Sequence, residues 1–258
     1  MNTNGLHNER KNLMRLKYWM LILVLGASLL SASFSHASEN SFTVTTSVGA
    51  PLYFEDGSGL YNLLVEEIFK RLNIEVKLVW LPSRRSLVST NDGVDDGNIA
   101  RTSAVEKKFP NLVRVPEKVF DFEFMAYSRD PSITLSDWKS LNPYVVGIIN
   151  GWQIVERNVA GAKLVTRAND YEQLFNLLDK GRVEVAILDR AMGSWKLKQL
   201  GLDIFPIDPP IIKLPMFIYL NKKHESLVPG FARVLKDMKR DGTFAAIYEK
   251  ALPDYGNP

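Results

Sequence analysis

The chain has 258 residues, 32 Lys+Arg against 29 Asp+Glu, three histidines and no cysteine. Without cysteine there is no disulfide, thiolate nucleophile or thiolate metal site, and a scarcity of histidine argues against zinc or Ser-His-Asp chemistry. The first 37 residues hold four of the basic side chains and one of the acids, so the remainder is neutral, which removes any global case for a nucleic-acid or anionic-membrane partner.

The N-terminal stretch sets the first expectation. Arg10, Lys11, Arg15 and Lys17 precede an uncharged run from Tyr18 to Leu30, and small residues lead to Ser35-His36-Ala37. A basic start, an apolar middle and a small-residue end predict a cleavable secretory signal peptide over residues 1–37. No cysteine follows the apolar run, so a lipoprotein anchor is not expected, and the periplasm is the expected compartment. The other reading of this stretch is an uncleaved membrane anchor. His7 and His36 fall in this segment. His224, in a polar stretch, is expected to sit in a solvated turn.

Beyond it, strands and helices alternate. Phe42 to Thr46 is a β-branched run, and a turn-rich stretch leads to a helix with Leu60, Leu63, Leu64, Ile68 and Leu72 on one face. Val76 to Trp80 reads as a strand, Ser83 as an N-cap for a helix carrying Leu87, and Gly97 to Ala100 as a short buried strand. Asp95-Asp96-Gly97 reads as a turn, and Glu66-Glu67 as an exposed helix face. A second set starts with strands at Phe124 to Tyr127 and Val145 to Ile149, followed by a helix from Gln153. Lys163 to Thr166 is a strand, Tyr171 to Lys180 a helix closed by Gly181, and Val183 to Leu188 a strand ending at Asp189. Phe217 to Leu220 reads as a strand, and helices follow over Leu227 to Lys239 and Thr243 to Ala251. Two β-α-β sets with a helical tail predict an α/β fold of two lobes, each a mainly parallel sheet flanked by helices, with a ligand edge at the strand C-termini.

Three segments carry a family likeness: Val146 to Glu156 (VGIINGWQIVE), Leu177 to Asp189 (LLDKGRVEVAILD) and Leu235 to Lys250 (LKDMKRDGTFAAIYEK). In this order and spacing they resemble the family 3 extracellular solute-binding proteins, periplasmic receptors of polar amino-acid ABC importers. The resemblance implies the type II periplasmic binding protein fold with two β-type crossovers. Lobe 1 would take residues 38–119 and 217–258, and lobe 2 residues 120–216, closing around a solute.

It also implies site residues. Asp189 matches the aspartate that accepts the solute's α-ammonium group. Gly151 and Trp152 occupy the glycine–hydroxyl position where backbone N–H groups meet an anion, with Trp152 in place of the small hydroxyl residue. Tyr53 and Phe54 stand where the family places a ring beneath the ligand. The family's carboxylate-clamping arginine is absent, lysines standing at the matching place in Arg101 to Pro110. Arg101 with Thr102, and Arg85 beside Arg84, are the alternative sources of a guanidinium fork. The implied role is capture of a small carboxylate-bearing solute for an importer or sensor. It needs no cofactor and no metal, and the protein is expected to be a monomer. The other readings are a dehydratase-type enzyme on the same scaffold and an accessory envelope protein that binds nothing.

Overall fold

The computed structural model describes residues 41–253; the expected signal segment lies outside them. Nine strands are present among the described residues, ordered β2-β1-β3-β9-β5-β8-β6-β7, with β4 also pairing β9. In chain order they are β1 (Phe42–Thr46), β2 (Val76–Trp80), β3 (Gly97–Arg101), β4 (Leu112–Arg114) and β5 (Phe120–Ser128). β6 (Val145–Ile149), β7 (Leu164–Ala168), β8 (Val185–Asp189) and β9 (Phe205–Asn221) follow. β1 pairs in parallel with β2 and β3, and β6 in parallel with β7 and β8. The antiparallel pairs all involve β5 or β9: β3 with β9, β4 with β9, β5 with β9 and β5 with β8.

Each parallel set carries its helices. The first has α1 (Leu60–Leu72) and α2 (Ser83–Asn91); the second has α3 (Gln153–Asn158), α4 (Tyr171–Asp179) and α5 (Arg190–Leu200). α6 (Val228–Arg240) and α7 (Thr243–Ala251) return to pack on α1. α1 buries Leu60, Leu64, Val65, Ile68 and Phe69, the stripe that a 3.6-residue period demands, and ends at Asn73 in the left-handed conformation. One continuous apolar core runs beneath both sets. Among the described residues no helix is long and apolar enough to cross a membrane.

Three expectations need correction. β9 runs from Phe205, not Phe217, because the ladder with β5 tolerates Pro206 and Pro215 at an edge-like seam, where prolines usually signal a break. Ser83 is the first helical residue of α2 and Pro82 the cap, with no side-chain capping bond. His224 is not in a solvated turn. Its Nε2 lies 2.7 Å from Asp96 Oδ1, and its ring is 4.6 Å from that of Phe42. Asp96 also accepts the Thr43 N–H at 2.8 Å and pairs with Lys223 at 2.7 Å, so the expected surface turn is an anchor for β1.

Candidate functional site

The site begins with a polar network beneath the C-terminal end of β3. Thr45, Ser86, Thr90 and Asn98 are all fully buried. Asn98 donates from Nδ2 to Thr45 Oγ1 at 2.8 Å and makes a close contact with Ser86 Oγ. Ser86 Oγ donates to Thr45 Oγ1 at 3.0 Å, and Thr90 Oγ1 donates to the Ser86 carbonyl at 2.9 Å. A buried amide needs every group paired, and this one then has only Oδ1 left to accept.

Arg101 fills that vacancy. Its Nε donates to Asn98 Oδ1 at 2.7 Å, Nη1 to Ser83 Oγ at 3.1 Å and Nη2 to Ser86 Oγ at 3.1 Å. All three acceptors are neutral. Among the described residues no carboxylate pairs with it, and desolvation brings its pKa down to about 10. A cation held by neutral oxygens is aimed but not neutralised, the arrangement expected of a receptor for an anion.

On the other parallel set, Asp189 ends β8 and caps α5. Its Oδ1 accepts the Ala191 and Met192 N–H groups at 2.9 and 3.1 Å. The residue is 4% exposed, and burial pushes its carboxyl up to about 7 against those backbone bonds. α5 sits close to the sheet because Gly193 has no side chain: a Cβ there would lie 2.2 Å from Tyr127 Oη. Tyr127 Oη in turn donates to the Asp189 and Arg190 carbonyls at 3.3 and 3.2 Å. Gly193→Ala should therefore cost about 1–3 kcal/mol of stability by overpacking. Chemical denaturation would show it, and an unchanged midpoint would deny the contact its importance.

Next to the cap, Arg190 pairs with Glu123 on β5 and Asp208 on β9, both at 2.6 Å, and Lys213 also meets Glu123. Burial would raise the Glu123 pKa, but the bonds from Lys213 and Arg190 outweigh it and hold it low. A cavity of about 610 Å³ opens here, bounded by Leu52, Leu60, Val119, Glu123, Asp189, Lys213 and Tyr248.

The aromatic residues divide. The loop after β1 is stapled to α1 by the Tyr61 N–H to Leu52 O bond (2.7 Å) and by Phe54 N–H to Asn62 Oδ1 (3.1 Å). That places the half-buried Phe54 ring edge-on to Trp195 of α5 at 6.0 Å between centroids. Tyr53 beside it is half-buried. Trp152 packs edge-on to Phe124 at 5.6 Å and Tyr171 at 6.4 Å, as much wall as core.

The Gly151 position differs from its expectation. The Gly151 N–H is taken by Glu156 Oε1 at 3.0 Å and the Gln153 N–H by the Gly151 carbonyl. Glu156 of the six-residue α3 thus folds back over the helix start and takes the Gly151 amide expected to meet an anion. Thr102 contributes its carbonyl to Tyr219 Oη at 3.4 Å. Arg84, Arg85, Lys107 and Lys108 are exposed. Trp195, Asn98 and Tyr61 carry no signal in the sequence, and Ser83 reads there only as a helix cap; buried hydroxyls spaced four apart at Ser86 and Thr90 are the signal that could have found the network.

No family model matches the chain. It is similar to an uncharacterized protein of Shewanella oneidensis, 24% identical over 213 residues, covering 79% of this chain and 78% of the relative. Among solved structures it is similar to an ancestral arginine-binding protein bound to glutamine, with 22% identity, TM-score 0.65, and 83% of this chain and 98% of the other covered. It is also similar to the GluR0 ligand-binding core in complex with L-glutamate, with 14% identity, TM-score 0.71, and 82% and 98% covered. The fold is thus the two-lobed periplasmic binding protein fold.

Proposed function

We propose that the chain is an exported periplasmic receptor of the family 3 type that captures a small polar, carboxylate-bearing solute, an amino acid or a relative of one. Residues 38–119 with 217–258 form one lobe and 120–216 the other. They close on the solute, which then passes to an inner-membrane ABC permease or is reported to a sensor. The protein acts as a monomer, without lipid anchor or cofactor.

The observation that carries the reading is Arg101: a guanidinium oriented by Asn98, Ser83 and Ser86 with no carboxylate against it among the described residues. A solute carboxylate supplies the missing charge, and Asp189 supplies the opposite charge for an ammonium group. Phe54, Tyr53 and Trp195 form an aromatic wall, and Trp152 closes the second lobe's side. Thr102 backs Arg101, while Arg85 stays at the rim. Proteins of similar fold have been solved with arginine, glutamine and L-glutamate bound, all of which carry an α-carboxylate.

Thermal-shift screening against amino acids, organic acids and polyamines tests the reading. A true ligand at 100 times its Kd adds about 2.7 kcal/mol, or roughly 5–10 °C for a chain of this size. Responses confined to polyamines, or silence across the panel, would reject it.

One observation favours a second reading. A buried carboxyl near pH 7, as Asp189 has, is suited to donate a proton, which a dehydratase acting on a carboxylate substrate would use. Product formation from prephenate-like acids, lost in Asp189→Asn, would select it.

A further inference from the structure

Protein interiors seldom leave voids much larger than a water molecule. The cavity where β5 and β9 join the two parallel sets is far larger, about 610 Å³, within the range of small-molecule sites. Its apolar wall is Leu52, Leu60, Val119, Phe120, Phe244 and Leu252, all buried. Of the residues assigned above to the solute, only Asp189 borders it; Arg101, Phe54, Trp152 and Trp195 do not. The cavity is therefore a space of its own.

The rest of its border is charged, and unevenly. Lys118, Arg190, Lys213 and Lys239 stand there against Asp121 and Glu123, while burial lets Asp189 keep its proton up to about pH 7. Glu123 has to serve both Arg190, at 2.6 Å, and Lys213. Asp208, the second partner of Arg190, and Glu117, the partner of Lys239, lie off the border. Lys118 pairs with Asp121 at 2.6 Å, and its side chain, like that of Lys213, is about half exposed. Ion pairs of that kind are weak, so either ammonium can turn to a new anion at little cost. Tyr248 adds a phenol that burial pushes up to about 12, so it stays protonated and able to donate. An apolar wall with a mainly cationic border fits a molecule that has an apolar chain and a negative head.

We propose that this cavity binds an amphipathic monocarboxylate, an apolar chain carrying one carboxylate and no ammonium group, with the chain against Leu60, Phe120 and Phe244 and the carboxylate held by Lys118 and Lys213. Such a ligand touches α7 from one parallel set, the start of α5 from the other and the strands that join them, and so steadies the joint. The site is separate from the one assigned to the solute at Arg101, and either assignment can fail without the other.

The test titrates decanoate, octanoate, acetate and decylammonium calorimetrically into wild type, Ala245→Phe and Lys213→Gln, with melting temperatures recorded. Ala245 borders the cavity on α7, and a phenyl ring there would occupy it. Each CH2 taken out of water strengthens binding about fourfold, so wild type should hold decanoate about tenfold or more tighter than octanoate, and acetate not measurably. Decylammonium should bind at least tenfold more weakly than decanoate, and decanoate should raise the melting temperature. Ala245→Phe should lose at least tenfold in decanoate affinity while melting close to wild type. Lys213→Gln should lose about threefold, and it keeps the test decisive if the first variant fails to fold. No decanoate binding by wild type, or equal binding of decylammonium, overturns the inference. So does unchanged decanoate affinity in Lys213→Gln or in a folded Ala245→Phe.

Discussion

Replacing Arg101 with alanine is expected to weaken binding of a carboxylate-bearing solute by about 100-fold or more, since it strips the charge from a desolvated ion pair. The unliganded protein should barely change. Truncation leaves Asn98 Oδ1 without its donor, but it also removes a guanidinium that burial disfavours and no carboxylate offsets. The two effects oppose each other, and a melting temperature within about 3 °C of wild type is expected. Arg101→Lys should fall between the two in affinity, because an ammonium cannot hold Asn98, Ser83 and Ser86 together while presenting a fork. Titration calorimetry with a solute found by screening gives the answer. Unchanged affinity in Arg101→Ala would move the anion site elsewhere.

The second large effect concerns Asp189 and pH. Its ordinary value of 3.8 is raised to about 7 in the folded chain, so between these limits the folded state keeps a proton that the unfolded state has lost. Unfolding then releases a proton, and stability falls as pH rises through that window, by up to about 4 kcal/mol from this one group. Below 3.8 both states are protonated, and above about 7 both are ionised, so the contribution is flat outside the window. Asp189→Asn should abolish this slope. The Asn oxygen can still accept the Ala191 and Met192 N–H groups, so the cap on α5 survives. Above pH 7 the variant should be at least as stable as wild type, yet bind ammonium-bearing solutes at least tenfold more weakly. Denaturation curves from pH 4 to 8 decide it: parallel pH profiles for variant and wild type would refute the shifted carboxyl.

Much of the fold is legible because most strands and helices obey their periods. α1 shows its core stripe, and β6 and β8 are unbroken apolar runs with polar ends. α2 defeats that logic. Its buried residues are Ser86 and Thr90 while Val88 is 40% exposed, so the helix presents its hydroxyl face inward to serve Asn98 and Arg101. A periodicity search for apolar residues sees the wrong face. β9 is hidden by its prolines, and β4 is too short to carry a signal. In the site, the charges at Arg101 and Asp189 can be seen in the sequence, because a charge at a strand end is conspicuous. The neutral groups that orient them cannot, since serine, asparagine and tyrosine are common everywhere. The sequence leaves the Gly151 amide open to an anion, but Glu156, the fourth residue of α3, reaches back and takes that N–H.

β9 also dictates an order of assembly. Without it, β2-β1-β3 and β5-β8-β6-β7 are separate sheets, and β4 has no neighbour to pair with. Every residue of both sheets is synthesised before the strand that sutures them, whose partners lie about a hundred residues upstream on β3, β4 and β5. Contacts of such long range form late. The half-sheets, and Arg101 and Asp189 with them, are therefore joined only once β9 is in place, and the cavity beside Asp189 is walled only when α7, which carries Tyr248 and follows β9 in the chain, has packed on α1.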